Sequence, residues 1–507
     1  MRHVYFYAVC LLALLPLAGC NKSSITVNIT PADAVAAGAR WNLDGGEWQV
    51  SGATVQAPAG AHTVDFERVP GWIKPASEAV NLGNNENKTL GGAYVPDDWE
   101  PDTGIFDVVL APETVRVPEE DLPALLVNED PENHVYTFDA AAADAAGLDL
   151  SVGNPLLLEC AALRRITGVE RTGDGRLIVS TGFIPLNEVV QSGTIAWDFG
   201  VEFTAEKVSQ FYVPGYGNAE VKAGTPIELN FDIGKYKYGI KASLDGDHSD
   251  IEFTVTKPMG GSAGAKMTAK GTIERFRSRE SMVFAGAKLT NYNSELDALR
   301  GDVTLEMVVA ATGNDFVNLE LPATIMTIPF TVGFVPVQLN IKVKFVVNAA
   351  VPLDGSSRVR TKFTYNSAVG FNFDGVSVSA GGRAGDVRFG DDELHETGAS
   401  SGISANFGVG FPRVELGIFG ETLVPYAQTG FLIGGDYTFN PACQRANALF
   451  QGAVGYDLSF LGFNLLSGSK TLFEHKKPLL RAGDCPADKE DLSEYGLMEE
   501  SLLLLGE

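Results

Sequence analysis

Val337-Gln338-Leu339-Asn340-Ile341-Lys342-Val343-Lys344-Phe345 alternates apolar and polar residues without a break. A strict period of two puts Val337, Leu339, Ile341, Val343 and Phe345 on one face of a strand and the amides and lysines on the other, the pattern of a sheet packed on one side and wet on the other. Val303–Val309 and Phe371–Val378 repeat the alternation, and Asp245-Gly246, Asp354-Gly355 and Asp374-Gly375 supply tight-turn dipeptides between such runs. Just upstream, Pro329 and Pro336 stand among apolar residues in Ile328–Val337, which suits a bent or edge strand, because proline cannot donate to a ladder. Almost no stretch offers a 3.6-residue period with caps. Residues 201–480 are therefore expected to form a large antiparallel β domain, and the fold class is all-β and multi-domain.

Composition agrees with this and removes one functional class. The chain has 507 residues, enough for about three to four domains. Its 45% hydrophobic content suits large buried cores, and 56 Gly and 29 Phe tilt it toward turns and strands. With 64 acidic against 38 basic side chains the formal charge is -26, and no basic patch interrupts it. Such a polyanion repels phosphate backbones, so nucleic acid is excluded as a partner.

Working toward the N-terminus, residues 131–200 read as a small β unit. Val135–Phe138, Leu163–Val169 and Arg176–Thr181 are the strand candidates, with Asp174-Gly175 as a hairpin turn. Arg164 and Arg165 are expected to decorate a strand beside acidic neighbours. The series Leu150–Asn154, Leu163–Thr167, Thr181, Pro185–Val189 and Gly193–Ile195 resembles a module of large microbial surface proteins, to which no activity is attached. Residues 97–130 hold eleven carboxylates against Arg116, with Pro101, Pro112, Pro118 and Pro123, and are expected to be an extended acidic connector.

Residues 24–96 show short alternating runs, Ile25–Ile29 and His62–Phe66, bounded by Asp44-Gly45-Gly46, Ser51-Gly52 and Pro58-Ala59-Gly60. Trp41, Trp48 and Trp72 supply aromatic bulk for a compact core. Gly38–Trp41, Asp44–Trp48, Gly60–His62, Phe66, Gly71-Trp72, Pro75 and Tyr94 resemble the PEGA-type β-sandwich repeats of exported bacterial proteins. That resemblance implies a stalk or spacer and no catalytic residue. Residues 20–96 are taken together as a lipid tether and PEGA-like sandwich.

The tether rests on the first twenty residues. Arg2, an apolar run from Tyr5 to Leu15 and a small-residue end read as a cleaved signal over residues 1–19, too short to stay as a membrane span. Leu17-Ala18-Gly19-Cys20 resembles the lipobox of bacterial lipoproteins. The resemblance implies diacylation of Cys20, stable anchoring through several acyl chains and, with Asn21 rather than Asp next to it, export toward an outer membrane. The acidic tail, residues 481–507, has only the run Leu502–Leu505 as an apolar feature. Cys160 lies in an apolar run and is expected to be a buried free thiol, while Cys443 and Cys485 sit in turn-like contexts and form a possible disulfide in an exported chain.

Motifs with chemistry are sparse. Gly260-Gly261-Ser262-Ala263-Gly264 and Gly398-Ala399-Ser400-Ser401-Gly402 match the string of a nucleophile elbow, but strand-like rather than helical sequence follows each, so both are expected to be hairpin loops. Asp245-Gly246-Asp247-His248-Ser249-Asp250 gathers three carboxylates and an imidazole; Asp245, Asp247 and Asp250 are candidate Ca²⁺ ligands, although the distal Glu of a complete loop is missing. His395, beside Asp391, Asp392 and Glu393, lacks the second His or Cys that zinc requires. No cofactor motif is present. The expectation is a lipid-anchored envelope scaffold or surface-binding protein without catalysis, attached to the membrane by acyl chains and meeting a protein, glycan or lipid. The alternatives are a carrier of apolar ligands, with Phe330, Phe334, Phe345 and Phe371 around a cavity, and a carbohydrate-active or hydrolytic enzyme whose carboxylates meet only on folding.

Overall fold

The computed structural model describes residues 23–483, apart from 70, 76–77, 98–100, 132, 235, 259–263, 311–314, 321–323, 352–355, 385–387, 398–402, 420, 440–441 and 463–466. It is 67% strand and 7% helix. The chain separates into two units, Met1–Asp98 and Trp99–Glu507.

In the first unit, Ser23–Thr30 is the middle strand of a three-stranded sheet, antiparallel to Thr54–Ala57 and parallel to Asn87–Ala93. Trp41–Leu43, Gly60–Phe66 and Glu78–Leu82 make a second sheet, and Trp72–Ile73 pairs with Val95–Pro96. Between the two larger sheets lie Ile25, Val27, Trp41, Val64 and Phe66. Of the three tryptophans expected in this core, Trp41 is fully buried and its indole N–H donates to the Val50 carbonyl at 3.1 Å, the half-buried Trp72 packs against the cluster, and Trp48 is exposed.

The second unit is built on two large sheets packed face to face. The first has eleven strands: Ile227–Ile233, Tyr236–Leu244, His248–Pro258, Gly264–Glu274, Leu289–Ala310, Phe276–Phe284, Val190–Val201 and Thr103–Leu110 follow in order, and Ser356–Phe373 adds to Leu289–Ala310 with Val378–Ala384 and Arg388–Thr397 attached to it. The second has nine, running from Gly217–Ala219 through Gln210–Val213, Thr324–Val332, Val335–Val351, Ile403–Ile418, Glu421–Phe439 and Ala442–Asp457 to Ser467–Gly483, with Asp315–Glu320 beside Val335–Val351. In the strand Val335–Val351 the alternating side chains Val337, Leu339, Ile341 and Val343 are buried, while Gln338 is exposed and Asn340 and Lys342 are half-exposed. They meet Ile195, Leu296, Leu305 and Phe371 of the opposite sheet in one continuous core. Pro329 sits opposite Gln338, beyond the Ile325–Thr327 stretch where its strand also pairs with Gln210–Val213, so its missing N–H is not needed there. The hairpin turns at Gly333, whose φ of 60° suits the first corner of a tight turn.

A smaller six-stranded sheet, Val115–Val117, Pro155–Leu158, Ala162–Arg171, Arg176–Gly182, Val135–Asp139 and Leu126–Asp130, has its own core around Val117, Phe138, Leu158 and Val179. It meets the hairpin tip, where the Cys160 N–H donates to the Phe334 carbonyl at 3.0 Å and the Arg116 guanidinium lies 5.3 Å over the Phe334 ring. Residues 97–130 therefore differ from the extended connector expected. Thr103–Leu110 is a strand of the large sheet, paired with Val190–Val201, and Val115–Val117 and Leu126–Asp130 belong to the six-stranded one. The acid count hides a period of two: Phe106, Val108 and Leu110 pack on the sandwich core, and Asp102 accepts the Gly200 N–H at 2.7 Å. Val190–Val201, placed with the small unit by sequence, likewise belongs to the large sheet.

Candidate functional sites

The turn between Tyr236–Leu244 and His248–Pro258 is held from outside. Gly246 exchanges both backbone hydrogen bonds with Phe203, at 2.8 and 2.9 Å, and the Arg275 N–H donates to the Asp247 carbonyl at 2.7 Å. On this fixed backbone His248 is half-buried, with Nδ1 2.9 Å from Asp247 Oδ1. That hydrogen bond is the main reason the Asp247 carboxyl is held below the usual carboxylate range, and the charge of Arg275 adds to it. The other ring nitrogen, Nε2, stands 3.6 Å from Asp245 Oδ2 and 3.7 Å from Asp250 Oδ2. Asp245, His248 and Asp250 each offer one atom to a group within 4.8 Å of one another. Of the expected ligands Asp245, Asp247 and Asp250, two thus converge with the imidazole between them, and Asp247 is turned to the far side of the ring. The Thr272 hydroxyl donates to Asp250 Oδ1 at 2.5 Å and the Ser243 hydroxyl to Asp245 Oδ2 at 3.2 Å. Asp250 and Thr272 also line a surface groove of about 330 Å³ with Lys241, Glu252, Lys270 and Asp302.

Glu280 is a second feature, one that carries no motif in the sequence. In Phe276–Phe284 the even residues face the opposite sheet, and Glu280 takes its turn between Ser278 and Met282. Across the ladder it pairs with Ser294, whose hydroxyl donates to Oε1 at 2.8 Å. The void beside it, against Leu339, Leu416 and Val454 of the other sheet, is only about 10 Å³. On the outward face of the same strands Asp198 holds Arg277 and Arg279, at 2.5 and 3.0 Å, and Arg279 reaches Asp297 at 2.8 Å. Asn293, Glu295 and Asp297, with Asn372 and Arg383, surround a shallow groove of about 530 Å³ lined also by Gly370 and Gly381, which face each other across neighbouring strands.

Cys20, Ser262, Ser400 and Cys485 lie outside the described residues, as does the side chain of Phe345. Strands Gly264–Glu274 and Ile403–Ile418 follow the two serine strings, where a nucleophile elbow would open a helix. The backbone of Cys443 pairs with Gly483. Cys160, expected to be buried, is partly exposed and free; it takes a φ of 57° at the turn after Leu158, which lifts it out of the apolar run that precedes it. Partial burial and the nearby Glu119 still push its thiol up to about 11, so it is a poor nucleophile near neutral pH.

No protein-family model, curated protein or solved structure matches this chain.

Proposed function

We propose that this protein is a lipid-anchored envelope protein whose large β sandwich is a presenting and binding module without catalysis. The observation that supports it over a carrier of apolar ligands is the filling of the layer between the sheets among the described residues. Phe330 packs against Trp197 and Phe199 with ring centroids 5.8 and 4.6 Å apart, Phe334 lies 4.5 Å from Phe106, and Phe371 is edge-on to Tyr292 at 5.1 Å. Three of the four phenylalanines expected around a cavity are thus packed into the core or against it. The 10 Å³ void by Glu280 has room for about one water and none for an acyl chain. Anchoring rests on the Leu17–Cys20 tetrad alone.

Detergent phase partitioning of the wild type and Cys20→Ser, with lipid extraction from the variant, tests both halves. The expected outcome is that the wild type enters the detergent phase, that Cys20→Ser stays aqueous, and that the aqueous form carries no stoichiometric lipid. Equal partitioning sinks the anchor; one lipid per Cys20→Ser chain revives the carrier.

A further inference from the structure

We propose that Asp245, His248 and Asp250 form a site for a divalent transition-metal ion of the zinc class, with Asp247 as the positioning residue for the imidazole. Donor chemistry selects the metal. Ca²⁺ asks for six to eight oxygen ligands, some of them bidentate. Here Asp250 has Oδ1 engaged by the Thr272 hydroxyl and turns Oδ2 toward the imidazole, and Asp247 is diverted to His248 Nδ1. The three atoms that converge, one imidazole nitrogen and one oxygen each from Asp245 and Asp250, the former also accepting from the Ser243 hydroxyl, form a borderline-soft set that suits Zn²⁺ and its neighbours.

Spacing points the same way. Nε2 stands 3.6 and 3.7 Å from the two carboxylate oxygens. Ligands on a tetrahedral ion with bonds of about 2.0–2.1 Å are separated by about 3.3 Å; the two imidazole-to-carboxylate separations exceed this by a few tenths of an ångström, and the three atoms together lie within 4.8 Å, so the carboxylates draw inward to seat the ion. The ring is also supported from behind. A carboxylate on Nδ1 fixes the tautomer that leaves the Nε2 lone pair facing the ion, and such partners raise metal affinity by about ten- to a hundredfold. The Gly246–Phe203 pair of backbone hydrogen bonds holds the turn from the far side, so the donors need little further ordering. Three protein donors leave at least one coordination position open, and Asp250 gives onto the groove of about 330 Å³, which admits water or a small anionic ligand to the ion.

The test is titration of the full chain, without a polyhistidine tag, with Zn²⁺ in the presence of excess Ca²⁺, followed by calorimetry and by the imidazole ¹⁵N signals of His248. The expected result is one ion per chain, a shift at Nε2 with Nδ1 still protonated, and an intense visible absorption when Co²⁺ replaces Zn²⁺. His248→Gln lowers affinity by roughly a hundredfold and Asp247→Asn by roughly tenfold, while Glu228→Gln, a nearby carboxylate paired with Lys241, leaves it unchanged. Zinc binding of equal strength in His248→Gln, displacement by Ca²⁺, or unmoved His248 signals in the wild type would each overturn the proposal. The wild-type imidazole signals decide the matter even where a variant fails to fold.

Discussion

Glu280 is a carboxylic acid set among hydrocarbon. Burial pushes its pKa up to about 8, with Ser294 and Tyr292 pulling weakly the other way. Among the described residues Oε2 and the Tyr292 hydroxyl make no hydrogen bond of normal geometry, so the two oxygens share the site through a poor contact at most. The charged groups nearest in sequence, Arg277 and Arg279, lie on the other face of the sheet, held by Asp198, and Leu339, Val414, Leu416 and Val454 cover Glu280 from the opposite sheet. Because the folded pKa lies above the unfolded value of about 4.5, the native state holds a proton that the unfolded chain releases between these limits. Stability is therefore fullest below about pH 4.5 on this group's account and falls as pH rises toward 8. Glu280→Gln keeps the acceptor for Ser294 and removes the ionisation. It should raise stability by roughly 2–4 kcal/mol at pH 8, at about 1.4 kcal/mol for each tenfold change in proton affinity less some relaxation, and by much less near pH 4.5. Denaturant melts at the two pH values check it; an equal effect at both would show that Glu280 ionises freely. The residue is hard to find in the sequence because Arg277-Ser278-Arg279-Glu280-Ser281 is polar on both parities, and only Phe276, Met282 and Phe284 reveal which parity faces inward.

At the scale of elements, strong alternation is readable and diluted alternation is not. Val337 to Val343 carries its face assignment in its side chains alone, whereas Phe106, Val108 and Leu110 alternate among acids and prolines whose summed charge speaks for a linker. What secures that strand is a close approach at Gly193. Its φ is 122°, and a Cβ there would fall 2.0 Å from the Asp107 carbonyl oxygen. Gly193→Ala should cost about 2–4 kcal/mol in chemical denaturation, combining backbone strain with a clash against main chain. Gly147→Ala, at positive φ in open space, should cost about 1 kcal/mol, from the backbone alone. Equal costs would mean that the two strands part without penalty. The metal-site turn shows the same limit: the Asp-Gly corner and its acids are plain in sequence, but that Asp247 faces the opposite ring nitrogen from Asp245 and Asp250 depends on the pairing of Gly246 with Phe203, forty-three residues away in sequence. At the far edge of the nine-stranded sheet, Cys443 is in register with Gly483, and Cys485 follows two residues later. Peptide mapping without reduction should yield a linked Cys443–Cys485 pair and a free Cys160; a link to Cys160 would defeat this.

On the scale of the whole molecule, each unit has a hydrophobic core of its own, so unfolding is expected in more than one step and no single free energy describes it. The topology of the first unit has a mechanical consequence. Ser23–Thr30 and Asn87–Ala93 run parallel and side by side, so the chain enters at one end of the pair and leaves at the other. Tension between the two ends of this unit draws the strands past each other, and the ladder yields in shear, its hydrogen bonds loaded together. Tension between Ser23 and Ala57, antiparallel partners at the same end, peels the same central strand one bond at a time. Pulling experiments should record a markedly higher rupture force in the first geometry, since forced unfolding follows the barrier along the direction of pull. A chain held by its N-terminus and dragged by whatever its far end grips would be loaded in the strong direction.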